Sequence, residues 1–163
     1  MVMVGSDRAE VERSLVSGEL SCPSCQGVLA PWGHARARSS RGPGGTVRHR
    51  PRRARCTGCR GTHVLLAQVW LWRRADAVSV IGAALEAKAA GAGHRSIATG
   101  LGRPATTVRG WLRRFAARAE QVRIEFTRLL LSMDPLAAPV TPRAWVVADA
   151  LEAIGRAAAA AVL

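Results

Sequence analysis

Two short copies of one pattern, Cys22-Pro-Ser-Cys25-Gln-Gly27 and Cys56-Thr-Gly-Cys59-Arg-Gly61, constrain the fold of this chain more than any other feature. Two thiolates in Cys-x-x-Cys spacing, on a turn whose following glycine relaxes the backbone, grip one face of a tetrahedral ion. A second such turn completes the shell. The alternatives are four unrelated cysteines or a redox pair, and no βαβ pattern surrounds either copy to support the latter. Met1 to Gly5 has no charged start, so no signal peptide is expected. The apolar last twenty residues are interrupted by Asp149, Glu152 and Arg156, which argues against a membrane span. A cytoplasmic, reducing compartment keeps thiols free for metal. Four sulfurs with no open position therefore point to one structural Zn2+ on Cys22, Cys25, Cys56 and Cys59. His34, His49 and His63 lie between or just beyond the knuckles, and any of them could replace a cysteine as ligand.

Aromatic residues make up only 4% of the chain, and alanine and glycine supply much of its apolar content. A core built from them is small, and small cores need a staple. Val28 to Arg38 and Thr46 to Arg55 are expected as two strands around the 39–45 turn, with His63 to Trp70 as a third. That is a zinc ribbon in outline, held together by its metal. No acidic residue occurs from Leu20 to Ala75, while eleven arginines do. Arg48, Arg50, Arg52 and Arg53 would make the second strand basic on both faces. A solvated edge strand uses charge to block aggregation, but that accounts for one or two arginines rather than this run. Contact with phosphates is the favoured reading.

The second organising stretch is His94 to Phe115, HRSIATGLGRPATTVRGWLRRF. Ile97, Leu101, Val108, Trp111 and Leu112 fall at helical spacing on either side of Gly102-Arg103-Pro104. Glycine there can end a helix in the left-handed conformation, and proline fits the first turn of the next. Ala98 lies where two steeply crossing helices would touch. Two short helices around a tight turn, the second carrying Thr106, Thr107, Arg109, Arg113 and Arg114, make a helix-turn-helix. Asp76 to Ala90, with Val78, Ile81, Leu85 and Ala89 on one side, reads as its support helix.

Ile-Ala-x-x-Leu-Gly followed by Thr-Val-x-x-Trp-Leu resembles the helix-turn-helix of transposases and bacterial regulators. The order of parts over residues 20–118 resembles the DNA-recognition half of insertion-sequence transposases and their short companions. It is still more similar to an actinobacterial family of zinc-ribbon plus helix-turn-helix proteins. The resemblance implies that Thr106, Arg109 and Arg113 read base edges in the major groove. Arg95, Arg103, Thr107 and Arg114 are then placed for phosphates, which position without reading sequence. The bland reading of Arg113 and Arg114 is a solvated helix end where cations suit the dipole. Full transposases carry a nuclease domain with three spaced carboxylates. After Arg118 only Glu120, Glu125, Asp134, Asp149 and Glu152 remain, on short helical segments. A non-enzymatic protein is expected, with no small-molecule substrate.

The remaining segments flank these two. Residues 6–17 read as a helix capped by Ser6 and ended by Gly18, with Val4, Val11, Leu15 and Val16 on its apolar side. Ala119, Val122, Phe126, Leu129 or Leu130, and Met133 suit a long amphipathic helix. After a 135–140 linker, Thr141-Pro142 should start a last one with Val147, Ala150, Leu151, Ile154 and Ala158 inward. This helical pair could pack within the chain or form a homodimer. The expected fold is thus α+β, mostly α, in four parts: an N-terminal helix (1–19), a three-stranded zinc ribbon (20–71), a helix-turn-helix domain (72–118) and a C-terminal helical hairpin (119–163). Net charge by part is about −2, +11 (through residue 75), +5 and −1, which puts the excess of +13 in the ribbon and the helix-turn-helix. GC-rich coding explains arginine over lysine but not this excess.

The function expected is binding of double-stranded DNA near the nucleoid, as a transcriptional regulator or a transposon-derived accessory factor. The competing readings are a non-specific nucleic-acid binder that uses the ribbon arginines, and a protein-interaction adaptor whose charge is incidental.

Overall fold

The computed structural model describes residues 1–142 and 145–162. Among them the chain is α+β, with six helices and six short strands. It divides into two compact units, Met1–Val80 and Ile81–Leu163. No described helix is long and apolar enough to cross a membrane.

The first unit holds β1 (Val2–Val4), α1 (Arg8–Val16), β2 (Leu29–His34), β3 (Arg38–Gly42), β4 (Gly45–His49), β5 (Arg52–Cys56) and β6 (Thr62–Ala67). They form a four-stranded sheet ordered β1-β6-β5-β2 and a separate β3-β4 hairpin. Three long strands were expected, and the chain breaks them for identifiable reasons. The Val28 to Arg38 segment gives β2, whose register shifts between Pro31 and His34, around Gly33 with φ 76°, and which ends at His34. The Thr46 to Arg55 segment is interrupted at Arg50-Pro51, and proline cannot donate to a ladder. Its two halves serve different partners, β4 pairing with β3 and β5 with β2. The expected 39–45 turn therefore tightens to Pro43-Gly44 at the hairpin tip. β1 pairs parallel with β6, Val2 opposite Leu65; its three residues are too short to show periodicity.

Helix α1 is capped by Asp7 rather than Ser6, since the Asp7 side chain accepts from the Ala9 amide at 2.8 Å. Leu15 carries it onto the sheet, in a core with Leu29, Ala54 and Leu65. Cys22 and Cys56 complete that cluster, so two of the four thiols are themselves core residues. Val16, expected on the apolar side, is 75% exposed.

The β3-β4 hairpin is clipped to the junction that follows β6. Arg41 donates twice to the Asp76 carboxylate, at 3.0 and 2.8 Å, and its backbone bonds both Ala75 and Ala77. This tie delays the next helix, α2 (Val78–Ala89), by two residues from the expected start at Asp76. Its buried residues are Val80, Ala84 and Leu85, while Val78 is exposed. Asp76 is buried and Arg41 half open, so removing the carboxylate leaves a cation that water can partly reach. Asp76→Ala is expected to destabilise the first unit by about 1–3 kcal/mol, below the full penalty for a buried pair. A denaturant midpoint unchanged from the parent would contradict the clip.

The second unit holds α3 (His94–Leu101), α4 (Ala105–Ala116), α5 (Ala119–Met133) and α6 (Val146–Ala160). Gly102 ends α3 with φ 60° and ψ 41°. Its amide reaches Thr99 O while the Arg103 amide reaches Ala98 O, the paired bonds of a Schellman ending. Pro104 sits one residue before the first helical position of α4, as its N-cap. Ile97, Ala98, Val108 and Trp111 are buried in α3 and α4, and Leu101 is half-buried.

Helices α5 and α6 pack on each other around Ala119, Val147 and Ala150, joined by Phe115, Val122 and Leu151. The inward side of α5 keeps Ala119 of the expected stripe and takes Leu130 rather than Leu129, but Thr127 is buried and Met133 exposed. On α6, Ala153 and Ala157 are buried beside Val147 and Ala150, while Ala158 is exposed. Small residues there let the helices approach closely. Thr141 and Pro142 do not start α6, which begins at Val146; just before them Val140 is buried and its carbonyl accepts from Arg123. Arg143 and Ala144 of that expected helix start lie outside the described residues.

Candidate functional site

The two knuckles fold alike. In each, the residue after the second cysteine takes a left-handed conformation, Gln26 at φ 60° and Arg60 at φ 63°. Cys22 N then bonds Gly27 O, and Cys56 N bonds Gly61 O, both at 2.8 Å. The glycine was expected to relax the backbone, but the left-handed torsion falls on its neighbour. What the glycine provides is room. A Cβ on Gly27 would sit 3.1 Å from Cys56 Sγ and 3.4 Å from Cys25 Sγ, and one on Gly61 would sit 3.4 Å from Cys59 Sγ.

The four sulfurs of Cys22, Cys25, Cys56 and Cys59 lie within 4.8 Å of one another. Cys22 and Cys59 are 3.7 Å apart, and Cys25 and Cys56 are 3.4 Å apart. A tetrahedron with metal–sulfur bonds of about 2.3 Å has edges of about 3.8 Å, so the cluster has the size and the soft donors that a metal such as zinc requires. Cys22 and Cys56 are buried, and Cys25 and Cys59 face solvent.

Electrostatics divides the thiols. The Ser24 amide donates to Cys22 and, against burial, draws its thiol down to about 7. The Gly27 amide, helped by the Cys56 sulfur, draws Cys25 down to about 6. The Gly61 amide pulls Cys59 the same way, but the sulfurs of Cys25, Cys56 and Cys22 outweigh it and push this thiol up to about 11. Crowded sulfurs resist carrying four negative charges together, and a divalent cation relieves that repulsion.

Of the three histidines, His63 alone approaches the cluster. It stands beside the sulfurs rather than among them, its Nε2 3.4 Å from Cys22 Sγ. Such a partner orients and tunes a ligand. His49 stacks on Trp70 with ring centroids 5.0 Å apart, and His34 pairs with Arg52 at the end of β2. Gly27→Ala is expected to lower metal affinity about 10- to 100-fold, the range for disturbing such outer positions, and to do so more than Gly61→Ala. Competition against a chromophoric chelator reads this directly, and equal affinities for both variants and the parent would refute it.

The arginines expected at phosphates are not equally free. Arg52 makes two bonds to Glu12, both at 2.8 Å, and a third to Gly33 O. Those bonds hold the Glu12 carboxyl below its usual range. Arg50 donates to Ala35 O and Arg53 to the Thr62 hydroxyl, while Arg48 is exposed. In the second unit Arg95, Thr106, Arg109, Arg113 and Arg114 are exposed and Thr107 half-buried. Arg103 folds back on Leu101 O and Gly102 O. Thr106, Arg109 and Arg113 recur at helical spacing along α4, away from buried Val108 and Trp111.

Comparison with protein-family models, curated proteins and solved structures finds no match.

Proposed function

We propose that this chain is a non-enzymatic DNA-binding protein, akin to the DNA-recognition part of insertion-sequence transposases. In particular, the four-cysteine unit is a zinc ribbon, and α3 with α4 is a helix-turn-helix whose second helix enters the major groove. It serves as a transcriptional regulator or a transposon-derived accessory factor. The observation that carries this reading is the division of α4. Val108 and Trp111 are buried, while Thr106, Arg109 and Arg113 form an exposed row with no acidic residue anywhere in the helix. Arginine grips guanine with two hydrogen bonds, and threonine meets a base edge or a thymine methyl.

Selection from a randomised duplex pool with zinc-loaded protein tests the reading. An enriched motif supports it, and a palindrome with half-sites about one helical turn apart adds a dimer. Arg109→Ala is then expected to lose roughly 1–3 kcal/mol and to relax one base pair, whereas Arg95→Ala weakens all sequences alike. Uniform loss for Arg109→Ala would overturn its base-reading role. A second reading, general nucleic-acid binding by the first unit, is favoured by the acid-free run from Leu20 to Ala75. It predicts steep salt dependence without a motif.

A further inference from the structure

At its β2-β5 end, the face of the four-stranded sheet opposite α1 carries an open aromatic and cationic surface; towards β1 the same face is covered, with Leu66 of β6 only 4% exposed. Strand pairing puts Arg53 opposite Val64, Arg55 opposite Thr62 and Ala30 opposite Arg55, all on this side. Leu29, Ala54 and Leu65 point the other way, into the core with Leu15 of α1. The open side therefore excludes α1 and its glutamates, and none of the four strands contributes a carboxylate. On it stands Trp32, 49% exposed although the Arg55 guanidinium lies 4.6 Å from its ring centroid.

This pair is fixed by the structure around it. Arg55 Nε donates to Arg60 O of the second knuckle, and neighbouring Arg53 donates to the Thr62 hydroxyl. An exposed indole beside guanidiniums offers a surface on which a planar group can stack. Here the indole sits amid guanidiniums in a stretch of eleven arginines with no acid, so the complementary partner is a polyanion that offers flat apolar faces. Unpaired bases fit that description: they stack on aromatic rings while arginines follow the backbone. Paired bases hide those faces inside the helix.

We propose that this sheet face is a second nucleic-acid site, in which Trp32 stacks with an unpaired base of single-stranded DNA while Arg53 and Arg55 hold its phosphates. It shares the nucleic-acid reading above but does not depend on α4 or on any duplex motif. The test uses the full metal-loaded chain with an oligothymidylate of about 12 nucleotides, within the site sizes of single-strand binders. Trp32→Ala is expected to weaken oligothymidylate binding by roughly 5- to 150-fold, as loss of one stacked base does elsewhere, with Trp32→Phe retaining most of it. Affinity for a selected duplex site should stay within about twofold of the parent, since phosphate and groove contacts carry that binding. Equal binding by Trp32→Ala and the parent overturns the proposal, as does equal loss in Ala and Phe variants. A parent that binds its duplex site but not the oligothymidylate also overturns it and leaves the surface to a protein partner. A parent that binds neither refutes the nucleic-acid reading itself.

Discussion

Stripping the metal with excess chelator, or replacing Cys59 by serine, is expected to unfold the sheet of the first unit rather than loosen one turn. The magnitudes decide this. A structural zinc site contributes about 10–16 kcal/mol of apparent binding energy at neutral pH, all of it coupled to folding. An entire small domain is stable by about 5–15 kcal/mol. The cluster around Leu15, Leu29, Ala54 and Leu65 is small, and Cys22 and Cys56 are part of it, so losing the ion also opens the core. Far-ultraviolet circular dichroism should lose the strand contribution while α3 to α6 persist. An intact sheet in chelator would remove the structural role. Acid acts in the same direction, because protons compete with metal for the sulfurs. At neutral pH Cys25 at about 6 is mostly deprotonated and Cys22 at about 7 is about half so, whereas Cys59 at about 11 must release a proton on binding. Affinity therefore rises with pH, about tenfold per unit for each proton displaced, and falls as pH drops through 7 and 6.

The second large effect lies in the other unit. Trp111→Ala removes the largest side chain buried between the exposed row of α4 and its neighbours, at 6% exposure. Truncating a buried tryptophan costs about 3–5 kcal/mol. With so few aromatic residues elsewhere, the second unit has little reserve. The expected result is a melting transition lowered for this unit alone, together with loss of binding to every DNA sequence alike. That pattern separates it from Arg109→Ala, which should act at one base pair and leave stability untouched. A variant that kept both its melting point and its affinity would show that α3 and α4 do not depend on this core.

The sequence made some of this architecture legible because the signals are local. The spacing within each Cys-x-x-Cys sets two donors on one turn, and the structure brings both pairs within metal reach. Gly102 ends α3 because six consecutive residues suffice to define a Schellman turn. What stayed hidden is non-local. β1 exists only because Val2 to Val4 meet β6 some sixty residues later. The split of the second basic stretch turns on Pro51, whose effect depends on which strand would have paired there. The inward side of α5 is chosen by α6: of the two leucines that periodicity left open Leu130 is the buried one, and Thr127 is buried while Met133 is exposed. Gln26 and Arg60 gave one overlooked hint: both occupy the same position in the two copies. Nothing in the letters around Trp32 marked it as a surface residue.

Because one cysteine pair precedes the β3-β4 hairpin and the other follows it, a single ion would act as a removable cross-link across the whole intervening loop. The hairpin hangs from that closure as a side lobe, fastened a second time by Arg41 and Asp76. A cut at the exposed Pro43-Gly44 tip would leave two fragments still joined through four sulfurs and three sets of paired strands, β1 with β6, β2 with β5 and β3 with β4. Covalent continuity at the tip is thus dispensable once the ion is seated, and the lobe is free to change in length without disturbing the sheet that carries the cluster.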